Sequence, residues 1–369
     1  AAPLAILSRP HNERAPCIHC GLCWGQPCEI GAKSSTLAAM IPLAEASGHC
    51  EIRADSAVFR VETDNRGRAG EVLYYDRDGR ERGQKAKAVI LAANGAESPR
   101  LLLASASAAH PDGLANSSGV VGKYLTDTTG TGVGGFIPRM VDRVPHNEDG
   151  TGGAHLYMPW WLDNRRLDFP RGYHIEIGGG FHMPGYGFMG GIHRYPPGGG
   201  WGEQLKRDYR KYFGAYVYFD GRGEMIPNDD TYCELDPEVV DKYGIPVMRF
   251  HWAWTDHERL QSKHMQETFR QIAETMGGEV FSEMPTAEQD YGLADGGVII
   301  HELGGARMGW DPDTSALNRY CQAHESPNLW VADGAPFVSQ ADKNPTWTIM
   351  ALSMRTADVI ARRMREGLL

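Results

Sequence analysis

Residues 87–93, Lys-Ala-Val-Ile-Leu-Ala-Ala, constrain the fold most, because they form a strand-like run with no alternation of polar and apolar side chains. A strand with one face in water alternates, whereas one apolar on both faces needs cover on both, the usual condition of a parallel sheet. Asn94-Gly95-Ala96 follows, and Ser98-Pro99-Arg100-Leu101-Leu102-Leu103 then opens a helix, so this is a strand-to-helix turn. A second such unit lies near the C-terminus. Asn328-Leu329-Trp330-Val331-Ala332 is a short apolar strand, Asp333-Gly334-Ala335-Pro336 breaks it, and Asn344-Pro345 opens a long helix with no internal Gly or Pro. Two strand–turn–helix units predict an α/β chain with α+β character, and the loops at the strand ends are where it would hold a ligand.

Ahead of the second unit stands His301-Glu302-Leu303-Gly304-Gly305-Ala306-Arg307-Met308-Gly309. A helix N-terminus leaves backbone N–H groups without partners, and Pro345 near the first turn suits such a start, so the loop before it fits an anion or a polarised carbonyl. His301 and Asn344 could converge there. Histidine is the usual general base near neutral pH, and an asparagine amide can hold an alcohol oxygen without competing for its proton. On spacing alone, a structural histidine is the more common outcome.

The chain has 369 residues, of which 41% are hydrophobic and 23% charged, enough for a substantial core and two domains. A net charge of −10 without clustered Lys and Arg argues against nucleic acid as a partner. No apolar run reaches the length of about 18 residues that a spanning helix needs, and no basic, apolar leader stands at the start. The first residue is Ala, as expected of a processed chain, a fragment or a trimmed one.

Four of the seven cysteines, Cys17, Cys20, Cys23 and Cys28, fall in one short loop with spacing C-x2-C-x2-C-x4-C. This is close to the ferredoxin-type run that wraps an iron–sulfur cluster, since short loops with Gly and Pro let several thiolates meet one inorganic core. Zinc is a second reading, although zinc sites usually draw ligand pairs from separated segments. Disulfides or free thiols are the third.

Between these landmarks, Lys33 to Ala46 reads as a helix, and residues 50–54, 59–61 and 72–76 as strands, with Asp78-Gly79 as a turn. Gly130-Thr131-Gly132-Val133-Gly134-Gly135 matches G-x-G-x-x-G, but Phe136-Ile137-Pro138 follows with no helical pattern, so it reads as a glycine-rich strand and not a dinucleotide fingerprint. Alternating runs such as Tyr173–Ile177 and Tyr216–Phe219 predict an antiparallel sheet over residues 128–290. Asp220–Pro227 reads as a hairpin-like turn, Val247–Trp252 as a further strand and Asp256–Met276 as an amphipathic helix stopped by Gly277-Gly278. Trp160, Trp161, Trp252 and Trp254 could stack on sugar rings, and sheet packing explains them equally well. His174, His182, His193 and His251 lack metal-site spacing and read as structural or surface residues.

The segment from His301 to Asp358 resembles the C-terminal signature of the glucose–methanol–choline (GMC) family of flavin oxidoreductases, several separated elements agreeing in order. The resemblance implies His301 as catalytic base and Asn344 as its partner. It implies FAD contacts at Asp333, Gly334, Pro345 and Thr346, at the turn Ala93, Asn94 and Gly95, and at Val58. Cys28-Glu29-Ile30-Gly31-Ala32-Lys33 resembles the segment that follows a cysteine cluster in GMC sugar and polyol dehydrogenases, which implies a three-iron or four-iron cluster on Cys17, Cys20, Cys23 and Cys28. Val121–Asp127 looks like the family's crossing into its substrate domain. The domains implied are an FAD-binding Rossmann-like domain from 1–127 and 296–369, and an antiparallel-sheet substrate domain at 128–295. The family's glycine-rich fingerprint belongs at its extreme N-terminus and is absent here, so the resemblance covers the C-terminal two-thirds and the chain alone should bind FAD poorly.

These features together imply oxidation of a secondary or anomeric hydroxyl of a sugar, sugar acid or glycoside by hydride transfer to flavin N5. Electrons would pass through an iron–sulfur cluster to a cytochrome c-type acceptor, with a small companion subunit, in the periplasm. A pyranose-oxidase-like enzyme using dioxygen is one alternative, and a non-catalytic electron-carrier or scaffold subunit is another.

Overall fold

The computed structural model describes residues 1–23, 26–160, 164–182, 192 and 201–369. Trp161 and His193 lie outside them. In chain order the described strands are β1 (Ala2–Pro3), β2 (Ala57–Thr63), β3 (Ala69–Tyr75), β4 (Glu81–Lys85), β5 (Val89–Leu91), β6 (Thr129–Phe136), β7 (Gly153–Pro159), β8 (Tyr173–Gly179), β9 (Tyr216–Gly223), β10 (Tyr232–Val240), β11 (Pro246–His251), β12 (Glu279–Val280) and β13 (Leu329–Val331). The α-helices among the described residues are α1 (Thr36–Ala39), α2 (Ile41–Ala46), α3 (Asn94–Ala104), α4 (Gly202–Tyr212), α5 (Asp256–Thr275) and α6 (Thr346–Arg365).

The chain forms two compact units, one of residues 1–52, 129–223 and 256–294, the other of residues 53–128, 224–255 and 295–369. The chain passes from one unit to the other at 52/53, 128/129, 223/224, 255/256 and 294/295. The first 52 residues, with the cysteine loop, group with the large sheet, and 224–255 group with the second unit.

The first unit is built on a six-stranded sheet in the order β1-β7-β8-β9-β6-β12, its pairings antiparallel. Alternation sets its two faces. Val217 and Phe219 of β9 and Tyr173 and Ile175 of β8 are buried with Met265, Phe269 and Ala273 of α5, residues four apart that form one helix stripe. Each of these large side chains contributes roughly 1.5–3 kcal/mol of burial. Gly221 supplies the gap that Met265 and Phe269 fill, since a Cβ there would meet both. The G-x-G-x-x-G run lies within β6, which pairs with β9 over its whole length, so it is a strand as expected.

The second unit holds the antiparallel sheet β2-β3-β4, the hairpin β10-β11 and the parallel pair β5-β13, in register Leu329↔Val89, Trp330↔Ile90 and Val331↔Leu91. Asn328 staples this pair to β3. Its side chain accepts from the Ala69 N–H at 2.9 Å and donates to the carbonyls of Ala69 at 2.7 Å and Lys87 at 2.8 Å. The core of the unit gathers Val89, Leu91, Leu101, Leu102, Leu114, Leu317, Leu329 and Val331.

Several local expectations are corrected. Lys33–Ala46 forms two short helices because Pro42 starts a second one at the N-terminus of α2. Residues 50–54 form no strand. Asp220–Gly223 continues β9 instead of turning, since pairing with both β6 and β8 satisfies its backbone. Asp78-Gly79 leads into β4, all five of whose residues are exposed and which therefore carries no apolar signal.

Candidate active site

The parallel strands β5 and β13 end side by side, and the residues that follow build the site of the second unit. Beyond β5, Asn94 takes φ +87° and its Oδ1 accepts the N–H groups of Ala96 and Glu97 at 2.9 and 3.0 Å, capping α3. Beyond β13, the carboxylate of Asp333 reaches across to this turn, where Oδ2 accepts the Asn94 N–H at 3.1 Å and the Ser98 hydroxyl, while Oδ1 accepts the Ala335 N–H at 2.8 Å. Burial pushes the Asp333 carboxyl up, and these donors pull it back. Thus Ala93, Asn94, Asp333 and Gly334, read from separate motifs, meet at the carboxyl ends of parallel strands, where α/β folds place ligands.

The His301 segment lies against both turns. A Cβ on Gly95 would collide with the Glu302 carbonyl, and one on Gly334 would come within 2.7 Å of Leu303 Cδ2 and 3.0 Å of that same carbonyl. Only glycine permits the close approach at both places. Gly304 closes the arrangement by donating its N–H to the Gly334 carbonyl at 3.0 Å.

His301 itself is half-buried. Its backbone N–H donates to Asp127 Oδ1 at 3.0 Å, and its ring Nδ1 lies 3.0 Å from the hydroxyl of Thr128. Asp127 is fully buried and also accepts N–H groups from Thr128 at 2.7 Å and Gly297 at 3.2 Å. Burial outweighs these donors and raises its carboxyl to about 6. Gln340, 1% exposed, donates to the Thr128 hydroxyl oxygen at 2.7 Å. Ile300, just before the histidine, has φ +65°, a costly conformation for a β-branched residue. Sequence reasoning missed Asp127, Thr128 and Gln340, because nothing in the local patterns of the first two points to His301, 174 and 173 positions away, and Gln340 lies 212 positions from Thr128.

Pro345 is buried and precedes α6, while Asn344, Thr346 and Trp347 are exposed. No side chain caps this helix, so the first-turn N–H groups of Thr346, Trp347 and Thr348 remain available to a ligand. The helix packs on the second turn through Ser353, whose hydroxyl donates to the Ala332 carbonyl at 3.2 Å. The Asn344 side chain makes none of the hydrogen bonds found among the described residues. Val58 lies on β2 opposite Tyr74, apart from these turns in the hydrogen-bond pattern.

In the first unit the four loop cysteines line one cavity of about 200 Å³ together with Ile6, Gln26, Pro27 and Lys33. All are free thiols. Backbone N–H groups of Lys33, then Ala32, Ile30 and Gly31, face Cys28 and hold its thiol below the ordinary value, while burial raises Cys23. Asn147 anchors the loop by donating to the His19 carbonyl at 2.6 Å. As they stand, no three such side chains among the described residues are arranged to hold a metal ion, so the loop offers thiols in one cavity without a preformed metal site.

The remaining candidates pack internally. Trp160 lies against Tyr173 and His264, and Trp252 against Trp254. His251 stacks on Tyr232 and meets Glu234 at 2.9 Å; His174 meets Glu176 at 3.3 Å; His182 meets Asp149 at 3.2 Å. Among the described residues no helix is long and apolar enough to cross a membrane.

The second unit thus carries paired turns at parallel strand ends, a helix N-terminus without a side-chain cap, and a histidine bonded to Asp127 and Thr128. The chain belongs to the GMC oxidoreductase family, whose N-terminal model matches residues 5–129 and whose C-terminal model matches residues 227–353. It is 30% identical over 98% of its length to the 2-methyl-1,2-propanediol dehydrogenase of Mycolicibacterium austroafricanum, and 28% identical over 99% to the fructose dehydrogenase large subunit of Gluconobacter japonicus. It spans 63% of the length of each of these relatives. Among solved structures, a formate oxidase of Aspergillus oryzae RIB40 superimposes with a TM-score of 0.62 at 15% identity, covering 91% of this chain and 64% of that one. The family's cofactor, FAD, fits the residues present, because the uncapped N–H groups ahead of α6 and the backbone of the two turns offer it polar contacts.

Proposed function

We propose that this protein oxidises a hydroxyl group of a sugar, sugar acid or glycoside, with FAD as the hydride acceptor. The observation that carries this reading is His301, gripped through its backbone by Asp127 and through its ring by Thr128, against the turns at Asn94 and Asp333. FAD, when bound, supplies the two-electron acceptor for the hydrogen of the carbinol carbon. Ala93, Asn94, Gly95, Asp333, Gly334, Pro345 and Thr346 would hold it. His301 removes the hydroxyl proton as the C–H bond breaks, help typically worth about 10²–10⁴-fold in rate. Asn344 donates its amide N–H to the same oxygen and aligns it, an orientational contribution.

Four thiols around one cavity support an iron–sulfur cluster on Cys17, Cys20, Cys23 and Cys28 as the electron exit. A cytochrome c-type acceptor, a small companion subunit and a periplasmic location belong to the same reading. No step is assigned to the cluster, since the thiols are not preassembled for metal. The test is substrate oxidation by flavin-loaded protein from its native source. Reduction of an artificial one-electron acceptor without oxygen consumption supports a dehydrogenase, oxygen consumption with peroxide release supports the oxidase, and no turnover with any polyol or sugar overturns the proposal.

A further inference from the structure

We infer that Asp127 and Ile300 are opposed positioning residues for His301: the Asp127 carboxylate clamps residues 297–301 in an arrangement that the backbone of Ile300 resists. The inference rests on the proposed role of His301, which stands at the end of this loop. The clamp has a fixed base. Next to Asp127, the Thr126 N–H donates to the Leu303 carbonyl at 2.9 Å and the Leu303 N–H returns a bond to the Thr126 carbonyl at 2.8 Å. From there the fully buried carboxylate takes the two ends of the loop, the Gly297 N–H on Oδ2 at 3.2 Å and the His301 N–H on Oδ1 at 3.0 Å.

The loop closes against its own conformational preference. Gly297 has φ +82° and Ile300 φ +65°, so the chain turns left-handed at both places. Glycine adopts that region at no steric cost, whereas the Cβ of a β-branched residue crowds its own backbone there. Packing does not offset the strain, because Ile300 is 77% exposed and Val298 59%. Such strain persists where the surroundings over-determine a conformation, and here the determinant is that both loop ends must reach one buried carboxylate. The ring of His301 has contacts of its own, Thr128 among them; the clamp acts on the backbone that carries the ring. The loop therefore has a clamped arrangement with Ile300 left-handed and a relaxed one in which Ile300 returns to ordinary φ.

The experiment is amide hydrogen exchange, followed by NMR on the full ¹⁵N-labelled chain without flavin, at Gly297, His301 and Leu303. Asp127→Asn keeps one acceptor oxygen and turns an NH2, a donor, toward the other end of the loop. At least one of the Gly297 and His301 amides should then exchange about 10-fold or more faster than in wild type, with Leu303 unchanged. Adding Ile300→Gly removes the resistance, since glycine is left-handed as readily as not, and should return much of the lost protection. Gly297 and His301 amides as slow in Asp127→Asn as in wild type would overturn the inference, as would a double variant that exchanges no slower than Asp127→Asn. Equal loss of protection at all three amides would show global loosening and overturn it too. If Asp127→Asn does not fold, Ile300→Gly alone carries the test: slower exchange at Gly297 and His301 supports the clamp, and equal or faster exchange overturns it.

The failure of the catalytic reading looks different. In flavin-loaded protein, Asp127→Asn should slow flavin reduction at saturating substrate about 10–100-fold, and Ile300→Gly should restore part of that rate. The predicted exchange pattern with equal reduction rates in all variants would keep the clamp and remove His301 as the base.

Discussion

Asp127 concentrates the physics of the site in one side chain. Its carboxylate takes three backbone N–H groups, from Thr128, Gly297 and His301, yet burial still raises its pKa from 3.8 to about 6. The sign follows from linkage. Below the unfolded value the group is neutral in both states, and as pH rises through about 6 the native state must hold a buried charge, so its contribution to stability falls across that window. Asp127→Asn cannot titrate. The variant is less stable than wild type because an amide cannot replace three acceptor contacts, but that deficit should shrink between about pH 4 and pH 7.5 in urea titrations. A deficit constant with pH would contradict the assignment.

His301 stands out in the sequence because the segment it leads, with Gly304-Gly305 after it and Asn344-Pro345 downstream, resembles the family's C-terminal signature. Asp127 and Thr128 were not, although Val121–Asp127 stood out as a crossing, since a buried acid and a threonine look alike whether they pack or position. Gln340 carried no local signal at all.

At the scale of elements, what the sequence revealed depended on how much apolar pattern each element carries. Strand β5 was legible from its unbroken apolar run, and β6 because no helix follows its glycines. Strand β4 was illegible, being exposed along its length and ordered only by pairing with β3. The end of β9 was mistaken for a turn because Asp-Gly-Arg-Gly has turn composition, while neighbours on both sides supply the pairing that overrides it. The parallel pair β5-β13 depends on Asn328, a residue read only as the start of a strand. Asn328→Ala would strand the N–H and carbonyl of Ala69 and the carbonyl of Lys87, so a loss of about 2–4 kcal/mol is expected in denaturant unfolding with little change in slope. A loss below about 0.5 kcal/mol would show that the pair stands without its staple.

For the molecule as a whole, composition set broad bounds, and the assignment of segments to units needed three dimensions. The cysteine loop precedes the expected boundary by a hundred residues yet groups with the large sheet, held by Asn147. Protein from its native source should carry flavin and, if the thiol cavity holds a cluster, iron and acid-labile sulfide in near-integral ratio to the chain. Replacing Cys28 with Ala should then remove iron while leaving flavin in place; iron retained at the wild-type ratio would exclude Cys28 from the ligand set.

The central claim is that His301 removes the substrate proton as hydride leaves for the flavin. Its most direct test is the rate of flavin bleaching after anaerobic mixing of flavin-loaded protein with substrate, compared between wild type and His301→Ala. A fall of about 10²–10⁴-fold, with flavin content unchanged, is the predicted result. An equal rate in the two proteins would contradict the account.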